Sequence, residues 1–331
     1  MLKTHHNRVA ALTLTAMLGG GALVACGSNE DPLANGGKGT DGGNSSQTIT
    51  VGSANFPESE IVGQIYTIVL KDAGMNVSFK GGIGARDVYL KALEKGDIDV
   101  VPEYSGNVAQ FYAKGKAQES ALKPGASPED VTNALQESLP NGIEAGPAAQ
   151  AESKDSYRVT KEFSEKNKVT TLEELAKYVE NKSITMGGNP ELKERPYGPK
   201  GLESEYGMKS LNVNFRGISD GGGPLTVTAL ANGDIDVADI YTTSPVVDKS
   251  GKPVDVVELK DPKRLILAQQ VLPLYRSEKL SDEAKKKLED VQKQLTTEDL
   301  KAMNERNSGA ERAEPEQIAQ DWLESKGLAK K

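Results

Sequence analysis

The alternation of apolar and polar residues predicts strands and helices in turn along the chain. Residues 48–53 read T-I-T-V-G-S, a β-branched alternation that is typical of a strand. Two helical stretches follow, and Gly74 and Gly96 end them. The predicted elements are a strand at 48–53, a helix at 60–73, a strand at 77–80, a helix at 86–95 and a strand at 97–101. This order predicts a doubly wound α/β lobe, in which ligands bind beyond the carboxyl ends of the strands.

The same order recurs in the second half of the chain. Strands are predicted at 183–187, 211–215 and 234–238, and a helix at 224–231. Residues 92–104 read A-L-E-K-G-D-I-D-V-V-P-E-Y and residues 229–241 read A-L-A-N-G-D-I-D-V-A-D-I-Y. The match needs no gap and ends on Tyr104 in one copy and Tyr241 in the other. A repeat this far apart predicts two similar lobes that present one tyrosine each at the same structural point.

Two segments between the copies are candidates for crossing from one lobe to the other, at 156–160 and 270–276. The charged, amphipathic stretch 281–326 is expected to form helices that pack on the first lobe. The predicted domains are a signal peptide at 1–25, a lipidated cysteine and tether at 26–47, lobe 1 at 48–154 plus 274–331, and lobe 2 at 155–273.

The start of the chain predicts export and anchoring. Lys3 and Arg8 precede an uncharged stretch at 9–24 that is too short to cross a membrane comfortably. This stretch ends in Leu-Val-Ala-Cys-Gly, which resembles a bacterial lipobox, and Cys26 is the only cysteine. The polar, glycine-rich residues 27–47 read as a flexible tether. We therefore expect the mature protein on the extracytoplasmic face of the cell membrane, with Cys26 carrying the lipid.

The composition excludes several classes of function. The net charge is −8 and no basic cluster occurs, so nucleic acid is not an expected partner. Both histidines, His5 and His6, lie in the predicted leader, and the only thiol, that of Cys26, is expected to carry the lipid. Ser-His-Asp and Cys-His nucleophilic sites and the usual zinc site are therefore excluded from the mature chain. No nucleotide-binding fingerprint occurs, and the glycines at 221–223 read as a turn before a helix, so no cofactor is expected.

The repeated aspartates and the repeated tyrosines call for different interpretations. Asp97, Asp99, Asp234 and Asp236 flank a buried strand, and an architectural role is favoured for all four. A tyrosine just past a strand end is commonly a packing residue. Two tyrosines at equivalent ends of two lobes instead favour a shared site for a small molecule.

At this point the chain resembles a known family, the solute-binding lipoproteins of ABC importers for glycine betaine, choline and related osmoprotectants. The resemblance covers about residues 48–328 and is carried by four segments, of which the Pro-Glu-Tyr-Ser-Gly at 102–106 is the most specific. The others are Gly-Ser-Ala-Asn-Phe-Pro-Glu at 52–58, Ala-Arg-Asp-Val at 85–88 and Leu-Pro-Leu-Tyr-Arg at 272–276. It implies a type II periplasmic-binding-protein fold, with two α/β lobes joined by two crossing strands.

The resemblance also implies a binding site. A trimethylammonium group donates no hydrogen bond and is held by aromatic faces, whereas a carboxylate tail suits an arginine or backbone N–H groups. Tyr104 and Tyr241 match the cage positions and Arg195 the carboxylate position. The wall positions are matched by Asn55, Ser105 and Thr242.

The chain departs from the family pattern at two further cage tyrosines. Those positions fall near Asp155 and at Gln269, with Tyr157 close to the first and on the same strand face. An added acid and amide suit a more polar solute, so the ligand is expected to be a small cationic or zwitterionic solute. The tyrosines of the predicted helices are expected to pack in the core: Tyr66, Tyr89, Tyr178 and Tyr206.

Three functions remain open from the sequence. The first is a monomeric, lipid-anchored solute receptor that docks on an ABC permease with its ATPase. The second is a carboxylate-based hydrolase or lyase in the cleft, for which Glu58, Glu103 and Asp155 are the candidate acids. The third is a receptor that hands its bound state to a sensor protein.

Overall fold

Two five-stranded sheets carry the fold of the protein, which we describe from a computed structural model of residues 48–329, the side chain of Ser210 excepted. The strands are β1 Ile49–Gly52, β2 Val77–Lys80, β3 Val100–Tyr104, β4 Ile143–Ala145, β5 Tyr157–Thr160, β6 Ile184–Gly188, β7 Val213–Gly217, β8 Val237–Asp239, β9 Val256–Glu258 and β10 Val271–Arg276. The predicted signal peptide, Cys26 and the tether lie outside the described residues.

Helices cover both faces of each sheet. They are α1 Pro57–Asp72, α2 Arg86–Lys95, α3 Ser105–Ala113, α4 Pro128–Ser138, α5 Lys161–Asn167, α6 Leu172–Val179, α7 Pro199–Tyr206, α8 Pro224–Ala231, α9 Asp282–Gln294, α10 Thr297–Ser308 and α11 Pro315–Lys326. Short 3-10 turns occupy Ala117–Ala121, Pro190–Glu194 and Ser210–Asn212. In the part of the chain that the structure describes, no helix is long and apolar enough to cross a membrane.

The two sheets share one plan. The strand order is β2-β1-β3-β10-β4 in the first sheet and β7-β6-β8-β5-β9 in the second. In each sheet the first three strands are parallel, and the fourth strand runs antiparallel to both of its neighbours. The internal repeat in the sequence is therefore a repeat of whole lobes, as predicted.

The repeated Gly-Asp-Ile-Asp-Val segment makes equivalent contacts in both lobes. Asp99 Oδ2 accepts a hydrogen bond from the Thr50 amide at 2.9 Å, and Asp236 Oδ2 accepts one from the Thr185 amide at 2.8 Å. The isoleucine between the aspartates lies over a glycine of the first strand of its lobe. A Cβ on Gly52 would lie 2.6 Å from Ile98 Cδ1, and one on Gly187 would lie 2.5 Å from Ile235 Cδ1.

The predicted strands at 97–101 and 234–238 were placed too early. The observed strands begin at Val100 and Val237. The preceding residues continue the end of a helix, since the Asp97 amide donates to the Ala92 carbonyl at 2.9 Å and the Asp234 amide to the Ala229 carbonyl at 2.9 Å. An Asp-Ile-Asp alternation there arises from a helix end followed by an aspartate that accepts a hydrogen bond from the neighbouring strand, and not from a pleated strand.

The first lobe is built around α1 and the C-terminal helices. Pro57 occupies the first turn of α1 with Glu58 and Glu60, an arrangement that suits a helix N-terminus. One core cluster joins buried residues of α1, such as Ile65, to those of α9, α10 and α11, including Trp322. The C-terminal segment therefore packs on the first lobe, as the sequence indicated.

The chain passes between the lobes at two places. Ala151 belongs to a core cluster of the first lobe and Tyr157 to one of the second, so the first crossing lies between them. The return crossing lies between Ile266 and Leu267 by the same criterion. The two predicted crossing strands, β5 and β10, are thus members of the sheets, and each crossing lies before its strand. All of β10 belongs to the first sheet, although the predicted end of lobe 2 at residue 273 falls within this strand. The domain boundaries themselves stay predictions.

Candidate functional site

A cavity lies between the lobes, beyond the carboxyl ends of the parallel strands. Lobe 1 supplies residues that follow β1, the start of α2, the end of β3 and one turn of α3. Lobe 2 supplies residues that follow β6 and β8, and the first crossing supplies two more. The lining residues are Ala54, Asn55, Phe56, Gly84, Ala85, Arg86, Tyr89, Tyr104, Asn107, Ser153, Asp155, Asn189, Glu191, Arg195 and Tyr241.

Three aromatic rings from both lobes meet at this cavity. The ring centroid of Phe56 lies 6.0 Å from that of Tyr104 in a tilted arrangement. On its other side it lies 5.7 Å from that of Tyr241, edge to face. Phe56 therefore connects the two tyrosines that the repeat singled out, and the three rings form one aromatic wall of the cavity.

Hydrogen bonds fix both tyrosine rings. The Tyr104 hydroxyl donates to Glu58 Oε1 at 2.7 Å. The Tyr241 hydroxyl accepts from Asn189 Nδ2 at 3.0 Å, and Asn189 Oδ1 in turn accepts from the Gly221 amide at 3.1 Å. Burial, followed by the charge of Glu58, raises the pKa of Tyr104 well above its ordinary value. Burial and then the charge of Asp155 raise the pKa of Tyr241, so both rings stay neutral phenols at physiological pH.

A polar network beside the cavity joins the two lobes. The Tyr197 hydroxyl lies 2.7 Å from Asp155 Oδ2 and 2.9 Å from Asn107 Oδ1, and it accepts from Arg195 Nη1 at 2.6 Å. Its single proton serves one of the two acceptors at a time. Arg195 Nη1 also lies 3.9 Å from Asp155 Oδ2, which places a cation and an acid side by side on the cavity.

A second arginine is held on the lobe 1 side of the cavity. Arg86 donates to the buried Glu103 through Nε at 2.8 Å and Nη2 at 3.1 Å, a two-pronged pair. The Tyr89 hydroxyl donates to the same carboxylate at 2.6 Å, and the Tyr104 amide donates to it at 2.8 Å. Glu103 therefore orients both Arg86 and the backbone that carries Tyr104.

A buried acid lies behind the polar network, at the end of β8. Asp239 is 2% exposed. Burial, together with the charge of the neighbouring Asp155, raises the pKa of Asp239 well above its ordinary value. Burial and a neighbouring negative charge both disfavour the ionised form of a carboxyl group, so the protonated form of Asp239 is favoured relative to an exposed aspartate.

The structure brings five of the predicted site residues to the cavity: Asn55, Tyr104, Asp155, Arg195 and Tyr241. Ser105, Gln269 and Thr242 do not line it. The Ser105 hydroxyl donates to the Ala268 carbonyl, Gln269 Oε1 accepts from the Asn107 amide, and Thr242 Oγ1 accepts from the Lys154 amide. Each of these three side chains braces a crossing segment or its neighbour instead.

Several lining residues were not predicted, among them Phe56, Arg86, Asn107, Asn189 and Glu191. Phe56 and Arg86 stand inside segments that carry the family resemblance, so that signal was available. Two tyrosines also differ from their predicted roles. Tyr89 is buried in the core and also lines the cavity. Tyr157 does not line the cavity; it is buried in lobe 2, and its hydroxyl donates to the Tyr197 carbonyl at 2.6 Å.

The three acids considered for an enzyme lie in separate environments. Glu58 and Glu103 are buried beside Tyr104, but neither lines the cavity. Asp155 lines it and is occupied by Tyr197. Among residues 48–329, no group of three or more acidic, histidine or cysteine side chains is placed to hold a metal ion.

Two α/β lobes with one strand plan, two crossings and a ligand-sized cleft between them define a type II periplasmic binding protein. The chain belongs to the family described as the substrate binding domain of the ABC-type glycine betaine transport system, which it matches over residues 47–325. It is therefore a substrate-binding component of an ABC importer and not an enzyme.

Individual relatives agree with this family. The chain is 25% identical over 287 residues to the glycine betaine-binding protein YehZ of Escherichia coli (strain K12), covering 85% of this chain and 92% of that protein. It is also 25% identical to the carnitine transport binding protein OpuCC of Listeria monocytogenes serotype 1/2a (strain 10403S), covering 86% and 88%. A crystal structure of a glycine betaine/carnitine/choline ABC transporter shares the fold, with a TM-score of 0.65, 20% identity, and coverage of 85% of this chain and 99% of that chain.

Proposed function

We propose that the protein captures a quaternary-amine zwitterion of the glycine betaine type in the cavity between its lobes and delivers it to an ABC permease. The observation that carries the proposal is that the aromatic wall of Phe56, Tyr104 and Tyr241, contributed by both lobes, lines the same cavity as Arg195. In this cavity the aromatic faces can hold the cationic end of the zwitterion, and the guanidinium of Arg195 can hold its anionic end.

The chemistry of each end supports this ligand class. Aromatic faces hold a desolvated quaternary ammonium with roughly 0.5–2 kcal/mol per ring. The carboxylate end has Arg195 in reach and Arg86 beside it, and Asn107 and Asn189 supply amide groups on the cavity wall. The raised pKa of Asp239 favours its neutral form, so this region carries less negative charge than two ionised carboxylates would give.

Contacts that bridge the lobes explain how binding is coupled to closure. Asn107 of lobe 1 meets Tyr197 of lobe 2, and Glu58 of lobe 1 accepts from the Thr243 hydroxyl of lobe 2 at 2.6 Å. A solute that touches Tyr104 and Tyr241 together interacts fully only when the lobes are close. Such differential contact shifts the population toward the closed form that a permease recognises.

A thermal-shift panel tests the ligand class. Glycine betaine, choline, carnitine, proline betaine and ergothioneine are compared with common amino acids that lack a quaternary amine. At a hundredfold excess over Kd a true ligand stabilises the protein by about 2.7 kcal/mol. We expect a shift with at least one quaternary amine and none with the amino acids. A shift with amino acids alone would contradict the proposal.

The proposal has two further parts. The protein is attached to the membrane through Cys26, and it delivers the solute as a monomer to a permease with its ATPase. The lipobox-like sequence and the tether support the attachment. Expression of the full chain and of Cys26→Ser in a bacterial host, followed by fractionation, tests the anchor. We expect the parent in the membrane fraction and the variant released; equal distribution of both would refute lipid anchoring.

A further inference from the structure

A second, larger chamber adjoins the aromatic cavity. Its volume is about 610 Å³, against about 50 Å³ for the cavity. Arg86, Asn107, Glu191 and Arg195 line both spaces, so these four side chains form the junction. A ligand held at the aromatic wall is therefore next to the chamber, on the other side of this junction.

Part of the wall of this chamber is apolar. Phe111 of α3 and Leu122 lie on the lobe 1 side, and Pro196 lies on the lobe 2 side. Phe111 is 38% exposed, which is unusual for a phenylalanine, and it is held edge-on against Tyr112 with centroids 5.2 Å apart. A ring held in this way gives the chamber an apolar surface on which an uncharged part of a ligand can pack.

Charged residues surround this apolar patch, and their charges nearly balance. Four acids, Asp87, Glu119, Glu191 and Glu194, line the chamber together with three bases, Lys114 and the two arginines of the junction. Charges of both signs are therefore interspersed around the chamber, which favours a tail of low charge over a strongly anionic or cationic one.

Resting on the proposed function, we propose that the preferred solute is an elongated quaternary-amine zwitterion that carries an uncharged, largely apolar branch of several carbons. Its ammonium lies against Phe56, Tyr104 and Tyr241, and its carboxylate lies at the junction near Arg195. The branch leaves between these two ends, passes the junction and covers Phe111. O-acyl esters of carnitine have this shape, because the acyl group is attached between the ammonium and the carboxylate.

Calorimetric titration with a homologous series tests the proposal. Carnitine and its acetyl, butyryl and hexanoyl esters are titrated into the wild-type protein. A fully buried methylene raises affinity about fourfold, equivalent to 0.8 kcal/mol, and a partly open chamber about twofold. We therefore expect hexanoylcarnitine to bind at least tenfold more tightly than acetylcarnitine.

Variant proteins locate the effect. Phe111→Ala removes the ring that the branch covers and should flatten the chain-length dependence while leaving carnitine affinity within about twofold of the parent. Leu225→Ala serves as a matched control, because Leu225 is exposed but does not line the chamber. It should reproduce the wild-type series.

The outcomes separate the two proposals. If carnitine or betaine binds and affinity is flat or falls with acyl length, the branch proposal is overturned and the proposed function stands. If no member of the series and no other quaternary amine binds, the proposed function fails. A length dependence that persists unchanged in Phe111→Ala also overturns the assignment to this chamber.

Discussion

Glu58 links Tyr104 of the aromatic wall to residues of both lobes. Its replacement by glutamine should therefore lower the stability of the protein and weaken ligand binding. The side chain is 4% exposed. Oε1 accepts from the Tyr104 hydroxyl at 2.7 Å, and Oε2 accepts from the Thr243 hydroxyl and from Asn304 Nδ2, both at 2.6 Å. The Ser153 hydroxyl lies 2.8 Å from that of Thr243 and extends the network to the first crossing.

The magnitude follows from counting donors. Three donors converge on one carboxylate, and a hydrogen bond to a charged group contributes about 1.5–3 kcal/mol, against about 0.5–1.5 kcal/mol for a neutral one. Glutamine keeps only one of the two side-chain oxygens. Its NH2 group takes the place of the other oxygen and therefore faces at least one of the three donors. The lower desolvation cost of the neutral amide offsets part of the loss. We expect Glu58→Gln to lower the free energy of unfolding by about 2 kcal/mol, or Tm by roughly 4–8 °C.

Binding should suffer as well, because the same bonds hold Tyr104 in place and tie lobe 2 to lobe 1. A loss of about 1–2 kcal/mol in the closed form corresponds to roughly 5- to 30-fold weaker affinity. Thermal unfolding and calorimetric titration with the best ligand of the panel measure both effects. Glu60→Gln, on the same helix and only partly buried, is the control and should change stability by less than about 0.5 kcal/mol. Unchanged Tm and affinity in Glu58→Gln would refute the reasoning.

Two further predictions concern lobe 2. Because Asp239 binds its proton more tightly in the folded protein, its contribution to stability is present at low pH and is lost as pH rises from about 4 through the raised pKa. The stability gained in Asp239→Asn relative to wild type should therefore grow with pH across a series of urea titrations, and parallel curves would count against the raised pKa of Asp239. Gly222 has φ +73°, and a Cβ there would lie 2.6 Å from Ile240 Cα, so Gly222→Ala should shift the neighbouring Tyr241 and weaken binding at least tenfold. Gly233→Ala, with φ +74° but open space around it, isolates the backbone strain and should leave affinity unchanged.

Much of the fold was readable from the sequence because local and tertiary signals agree. The glycine stops, the alternation at 48–53 and the repeated segment all follow from backbone physics that holds within each lobe. The helices at 86–95 and 224–231 match the observed α2 and α8. The strands within the repeat were misplaced because an aspartate that binds the neighbouring strand, Asp99 or Asp236, imitates strand alternation, and only tertiary contacts distinguish the two cases.

The site was less readable than the fold. Tyr104 and Tyr241 stand out because they repeat, but Phe56 has no counterpart in the repeat, and its position between them depends on how the lobes meet. Ser105 and Gln269 look like wall residues by position, yet the Ser105 hydroxyl and Gln269 Oε1 make hydrogen bonds near the return crossing instead of lining the cavity. Those assignments depend on side-chain direction, which a linear pattern does not fix.

The central claim is that a cationic nitrogen is held against aromatic faces from both lobes. Calorimetric titration of wild type, Tyr104→Leu and Tyr241→Leu with choline and with its neutral analogue, in which carbon replaces the ammonium nitrogen, tests it most directly. Leucine keeps an apolar surface but removes the ring. The account predicts that each substitution weakens choline binding about tenfold, or about 1.4 kcal/mol, and changes binding of the neutral analogue little. Equal losses for both ligands, or none for either, would contradict it.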